Sequence, residues 1–264
     1  METRQPYSTD LTDGEWDHLE QLAPAPKTGG RRPEHTRREI LNGIFYAVRS
    51  GCAWRLLPND LPPWGTVYHY FWLWRRQGLW ETIHTTLREG VRQAAGREKQ
   101  PSGAILDSQS VRTSEQGGVR GYDGAKKLCG RKRHILVDTM GLVLLVMVTA
   151  ANVQDRDGGC GLLTALAWQF RRLRVIWADG AYAGDLVTWV RGLRVWGRVR
   201  LEIVRKPKGV KGFKVVPWRW IVERTFAWLG RSRRLKCDYE RLPETTEAII
   251  HITMIRLMVR RLTA

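Results

Sequence analysis

Cysteine is scarce and dispersed. Cys52, Cys129, Cys160 and Cys237 form no C-x-x-C pair and accompany no histidine cluster. This spacing argues against a zinc site and against a disulfide framework, and it suits free thiols in a reducing compartment. Long apolar runs are missing as well. No stretch approaches the roughly 18 uncharged apolar residues of a membrane span. The opening "METRQPYSTDLTDGEW" has no apolar segment behind its first basic residue, so no secretory signal is expected there. Acid is the third shortage: 26 Asp and Glu stand against 44 Lys and Arg, a net charge of +18. The resulting pI near 10.4 points to a polyanionic partner. The basic residues are not confined to one amphipathic helix, which disfavours binding to a membrane surface.

What is present is enough apolar material for a core: 43% of 264 residues. That allows one large domain, or a small one beside a medium one. Residues 10 to about 95 read as helices. "TDGE" (Thr12 to Glu15) and "TRRE" (Thr36 to Glu39) both fit the capping box, in which each end satisfies the other's backbone. Ile40, Leu41, Ile44, Phe45 and Val48 then recur at helical spacing, and Gly51 supplies a stop. "PNDLPPW" is a rigid turn, followed by an aromatic helix ending in Arg75 and Arg76 and a further helix from Trp80 to about Gln93. Helix, turn and basic second helix is the layout of a DNA-binding helix-turn-helix. A small helical bundle with an aromatic core accounts equally well for that segment alone. The sequence divides into a helical domain at 1–95, a linker at 96–102 and a second domain at 103–264.

From Ala104 the periodicity changes. "AILDSQSV" reads as a strand, Thr113 to Gly130 as an exposed loop, and Lys132 to Ala150 as a hairpin turning at Asp138 to Gly141. A helix across "GLLTALAWQFRRL" leads to the strand in "RVIWADGAYAG". There follow a helix near Asp185 to Arg191, a strand from Arg200 to Lys206, a helix from Pro217 to Leu229 and a last helix from Glu244 to Leu262. This order predicts a mixed sheet with helices on its faces, an α/β fold.

In such a sheet functional groups gather at strand ends and helix starts. Asp107 ends the apolar part of the first strand, Asp179 follows "VIWA", and Glu223 lies among aromatic and aliphatic residues in "WRWIVERTFAWLG". Singly, each has an ordinary explanation: Asp107 and Asp179 as turn formers, Glu223 as a partner of Arg219 or Arg224 on its own helix. Together they favour a metal site, because three carboxylates brought to one point need cations between them. Hard oxygen donors suit Mg²⁺ or Mn²⁺. Two such ions would clamp the attacking and leaving oxygens of a phosphodiester. Asp123, Asp138, Asp155 and Asp157 are set aside, Asp138 as a turn residue and the last two as the start of the next helix. Between Arg205 and Arg241 stand twelve basic residues and three acids. Lys206, Lys208, Arg219, Arg224, Arg231, Arg233, Arg234 and Lys236, with Arg75 and Arg76, are therefore the expected phosphate contacts.

"ILDSQSVRT", "GYDGAKKLCGRKRHILVDTMG", "ANVQDRDG", "ADGAYAG" and "WIVERTFAWLGRSRRLKCDYE" resemble the bacterial insertion-sequence transposases of the DDE superfamily. "LTDGEWDHLEQLAP" and "GCAWRLLPNDLPPWGTVYHYFWLWRRQGLWE" are similar to their helical DNA-binding domain. The resemblance implies a ribonuclease-H-like catalytic domain in which Asp107, Asp179 and Glu223 carry two divalent ions. In the relatives' Tyr, Arg, Glu, Lys helix motif, Arg219 fits the Arg, while Val216 stands in the Tyr position and Gly230, beside Arg231, in the Lys position. It further implies a DNA transposase that binds inverted-repeat ends, cuts them and joins the 3′-hydroxyls to target DNA, as a homodimer in a synaptic complex. A cytoplasmic, nucleoid-associated location is expected. A decayed, non-enzymatic repressor and a structure-specific nuclease are the rival readings.

Overall fold

A computed structural model describes residues 4–24, 34–166, 169–192, 199–205 and 218–264. Two compact units are present. One comprises Met1–Arg97, Arg231–Lys236 and Ala248–Ala264; the other comprises Glu98–Gly230 and Cys237–Glu247. One crossing between the units falls between Arg97 and Glu98, and the segments 231–236 and 248–264 group with the helical unit. No helix among the described residues is long and apolar enough to cross a membrane.

The helical unit contains α1 (Asp13–Glu20), α2 (Arg37–Ser50), α3 (Trp64–Arg76) and α4 (Leu79–Ala94). Both expected Thr caps form: Thr12 accepts from Glu15 and Thr36 from Glu39, and at α1 the reciprocal bond completes the capping box. Gly51 ends α2 in the left-handed region at φ 74°, where a Cβ would meet Arg233. The core buries Ile40, Leu41, Ile44 and Phe45 of α2, Phe71 and Trp74 of α3, and Trp80, Ile83 and Leu87 of α4. Burying each such side chain contributes about 1.5–3 kcal/mol. The last helix, α8 (Pro243–Leu262), adds Ile252, Ile255, Met258 and Val259 from its portion in this unit.

The second unit is built on a mixed sheet. Its strands are β1 (Gly103–Arg112), β2 (Gly121–Asp123), β3 (Leu128–Asp138), β4 (Val143–Ala150), β5 (Val175–Ala178) and β6 (Arg200–Ile203). β1 lies between β3, its antiparallel partner, and β5, its parallel partner; β6 continues in parallel beyond β5. β2 and β4 both pair with β3. The hairpin turns where expected, with Asp138 Oδ1 accepting from the backbone of Met140 and Leu142. The loop expected from Thr113 to Gly130 is shorter than its glycines imply, because β2 and the start of β3 occupy part of it. Helix α5 spans Asp155–Leu166, beginning earlier than its apolar run, and α6 spans Asp185–Gly192. One face of the sheet buries Leu106, Leu136, Ile176 and Ala178 with Leu162, Leu163 and Leu166 of α5. On the other face α7 (Arg219–Gly230) packs against β1.

Candidate active site

Alternation along paired strands sets the first two acids. β1 and β5 pair in parallel as far as Leu106 and Ala178, so Asp107 and Asp179 are the next residue of each. They project to the same face, that of the paired Ile105 and Trp177. β1 continues to Arg112 but β5 stops, which leaves Asp179 to cap a short 3₁₀ turn by accepting from Ala181 N–H at 2.8 Å.

Helix α7 brings the third acid and is seated at two points. At its start Trp218, held at φ 69°, stacks on Trp177 with ring centroids 4.5 Å apart and planes 10° from parallel. One turn beyond Ile221, Thr225 donates to the carbonyl of Gly141 and Arg224 to that of Met140, both on the β3–β4 turn. Arg224 also lies 4.6 Å over each of the Trp220 and Trp228 rings. The helix therefore crosses the sheet above β1. It brings Arg219 within reach of Asp179, with Glu223 one turn further along the helix beside Arg219.

Arg219 is the hub of the site. Its Nη2 lies 3.9 Å from Asp179 Oδ2 and 3.5 Å from Glu223 Oε1. Its Nε is buried with no hydrogen-bond partner among the described residues. Asp107 is pushed up to about 6 by burial first and by the negative charges of Asp179 and Asp155, against the Ser108 N–H and Arg219, which favour the carboxylate. Glu223 is more than half exposed, so its environment is wetter than its aromatic neighbours in sequence imply.

The donor chemistry fits a divalent ion: hard carboxylates, two of them adjacent and under-neutralised. Their arrangement is open, however. Among the described residues no three His, Cys, Asp or Glu side chains lie close enough to hold a metal ion. Arg219 occupies the position between acids that such a cation would share.

The phosphate-contact candidates divide. Arg76, Arg231, Arg233 and Lys236 are exposed, and Arg75 is half-buried. Arg234 is instead buried in the helical unit, donating to the Cys52 carbonyl at 2.8 Å and lying 4.8 Å over Trp54. A guanidinium taken from water requires such partners, which makes Arg234 a structural residue rather than a phosphate contact. Lys206, Lys208 and Val216 lie outside the described residues. The sequence reading also passed over Asp123, Asp155, Lys132 and Ser108, which cluster behind Asp107. A partial signal was available: Ser108 and Lys132 lie in the polar halves of strands whose other halves, residues 104–106 and 135–137, are apolar.

The family described as "Transposase DDE domain" matches residues 98–258, and that of a putative transposase of the IS4/5 family matches residues 11–84. The chain belongs to the DDE transposases. It is 34% identical over 136 residues to a putative transposase for insertion sequence element IS402 from Burkholderia cepacia, a match covering 48% of this chain and 60% of that protein. The match thus spans about three fifths of that relative's length. An uncharacterized 16.2 kDa protein of IS402 from the same organism is 31% identical over 109 residues, covering 39% of this chain and 72% of its own. Protein y4sN of Sinorhizobium fredii is 26% identical over 117 residues, covering 44% and 87%. No solved structure matches. The sheet and its flanking helices are those of a ribonuclease-H-like DDE transposase.

Proposed function

We propose that this DDE transposase binds the inverted-repeat ends of an insertion sequence, hydrolyses a phosphodiester at each end and joins the freed 3′-hydroxyls to target DNA. The observation that carries the reading is the placement of Asp107 and Asp179 side by side where the pairing of β1 with β5 ends, with Arg219 between Asp179 and Glu223. Asp107, Asp179 and Glu223 would hold two Mg²⁺ or Mn²⁺ ions, which supply Lewis-acid charge at the scissile phosphate and activate the attacking oxygen. Arg219, with its Nε–H unpaired and two carboxylates in reach, would present a guanidinium donor to the phosphate. The stack of Trp177 on Trp218 fixes the start of α7, the helix that carries Arg219 and Glu223.

In the helical unit, α3 carries the aromatic and basic face of a helix-turn-helix. Arg76, exposed beside Trp72, and Arg75 meet the end sequences. Arg231, Arg233 and Lys236 grip phosphates, as do Lys206 and Lys208. Two ends must be cut and joined together, so the working form is a homodimeric synapse.

The test is incubation of the purified protein with labelled inverted-repeat ends, a target plasmid and Mg²⁺. Cut ends and joined products are expected from wild type, and binding without either product from Asp179→Asn. Cut ends without joining would make the protein a nuclease; binding without cutting in wild type would make it a repressor.

A further inference from the structure

On the face of the sheet opposite α7, directly behind Asp107, lies a polar cluster that the reaction above does not use. Lys132 of β3 is buried, and its Nζ lies 2.8 Å from the Val153 carbonyl, 3.0 Å from Asp155 Oδ1 and 3.9 Å from Asp123 Oδ2. Asp155, at the start of α5, also accepts from the Ser108 hydroxyl at 2.7 Å. Ser108 is the residue whose backbone N–H donates to Asp107 Oδ1 at 2.8 Å. An unbroken chain of polar contacts therefore runs from the Val153 carbonyl through Lys132, Asp155 and Ser108 to the Asp107 carboxylate.

Two physical arguments give this chain a purpose. The parallel pairing of β1 with β5 ends at Leu106, so beyond that point one edge of β1 has lost its ladder where Asp107 stands. Side-chain anchoring of the next residue, Ser108, takes over that restraint. Secondly, enclosing a lysine with two aspartates costs desolvation that well-packed apolar residues of similar volume would avoid. Fold stability alone gives no reason for the cluster.

We propose that Ser108, Asp155 and Lys132 are positioning residues that hold the Asp107 carboxylate in the orientation needed to take up a divalent ion. The inference rests on the metal-dependent reading given above. Outer partners of this kind fix a ligand's direction, and losing one typically weakens metal binding about 10- to 100-fold.

The experiment measures Mn²⁺ binding to the full, initially metal-free chain by the electron paramagnetic resonance signal of free Mn²⁺. Asp107→Asn sets the scale for loss of a ligand. Ser108→Ala is expected to weaken Mn²⁺ binding about 10- to 100-fold, with melting temperature and metal-free affinity for DNA ends unchanged. Asp155→Asn is expected to weaken it likewise, with a lowered melting temperature because buried Lys132 keeps only the more distant carboxylate of Asp123. Ser108→Thr, which keeps the hydroxyl, is expected to bind as wild type does. Wild-type Mn²⁺ affinity in Ser108→Ala and Asp155→Asn, with loss in Asp107→Asn, overturns the positioning role and leaves the transposase reading intact. No loss in Asp107→Asn overturns the metal reading itself and the inference with it. Equal loss in Ser108→Thr and Ser108→Ala, with lowered melting in both, assigns the cluster to the fold alone and also overturns the inference. If Asp155→Asn does not fold, Ser108→Ala, which removes a single hydroxyl, decides.

Discussion

Asp179 lies beside Asp107 because the parallel pairing of their strands ends one residue earlier, at Leu106 and Ala178. The folded chain thus holds two like charges at the edge of its core, and Asp107 is held protonated up to about pH 6 by burial and by that neighbour. A carboxyl whose folded value exceeds its unfolded one binds protons more tightly in the native state. Its penalty on stability is absent below the unfolded value of 3.8 and grows as pH rises to about 6. A shift of roughly two units corresponds to on the order of 3 kcal/mol. Asp107→Asn is therefore expected to raise the melting temperature at pH 7.5 by several degrees while abolishing strand cleavage. The stabilisation should vanish near pH 4; thermal melts across pH 4 to 8 check it, and equal melting temperatures at pH 7.5 would contradict the site's electrostatics.

The helical unit carries the opposite pH signature. His84 of α4 and His251 of α8 are buried with rings 5.0 Å apart, and His251 Nδ1 lies 3.9 Å from Glu81 Oε1. Burial first, then the charge of Arg88, lowers His251 to about 4; burial, His251 and Arg88 lower His84 well below its usual value. A folded value below the unfolded 6.5 means that the unfolded chain binds more protons. Stability is then complete above about pH 6.5 and is lost as pH falls toward 4. His84→Phe is expected to flatten that loss. Circular dichroism melts at pH 7 and pH 4.5 measure it, and an equal drop in wild type and variant would exclude the pair as its source.

Much of this arrangement was legible in the sequence, and the remainder was not, for identifiable reasons. β5 and Asp179 could be read because an apolar run followed by Asp-Gly is local information. So could Arg219 and Glu223, which helical spacing places on one side of α7. The reach of Arg219 to Asp179 could not, since it depends on Trp218 finding Trp177 across the fold. Asp155 satisfied the pattern of a helix start and was dismissed for that reason, although the same carboxylate also holds Ser108 and Lys132. An apolar stripe on α8 showed that the helix is buried. It did not show that residues from Ala248 onward group with the helical unit.

Net positive charge makes a prediction about DNA affinity. Each phosphate neutralised by Arg231, Arg233 or Lys236 releases counterions, so log affinity for inverted-repeat ends should fall steeply with log salt. Replacing any one of these three by Ala is expected to reduce that slope by about one. Arg234→Ala is expected to lower the stability of the helical unit instead, because its guanidinium serves Cys52 and Trp54. Filter binding between about 50 and 200 mM salt distinguishes the two classes. A slope unaffected by all three exposed substitutions would remove this segment from the DNA surface.

Gly158 links packing to the site. A Cβ there would stand 2.1 Å from Cε1 of the buried His134 ring, whose Nε2 is 3.0 Å from Thr149 Oγ1. The imidazole cannot move aside without leaving that partner, so Gly158→Ala must push α5 off the sheet. Overpacking of this kind costs about 1–3 kcal/mol. Because Asp155 belongs to the first turn of α5, the same displacement also draws it away from Ser108. Gly158→Ala is therefore expected to reduce single-turnover cleavage by about 10²-fold, the scale of a 1 Å misplacement, with DNA-end affinity unchanged because the helical unit is not disturbed. His134→Ala, which makes room for the methyl group, should recover much of the rate in the double variant. Failure of the double variant to recover, with its fold intact, would show that α5 does not transmit this strain to Asp107.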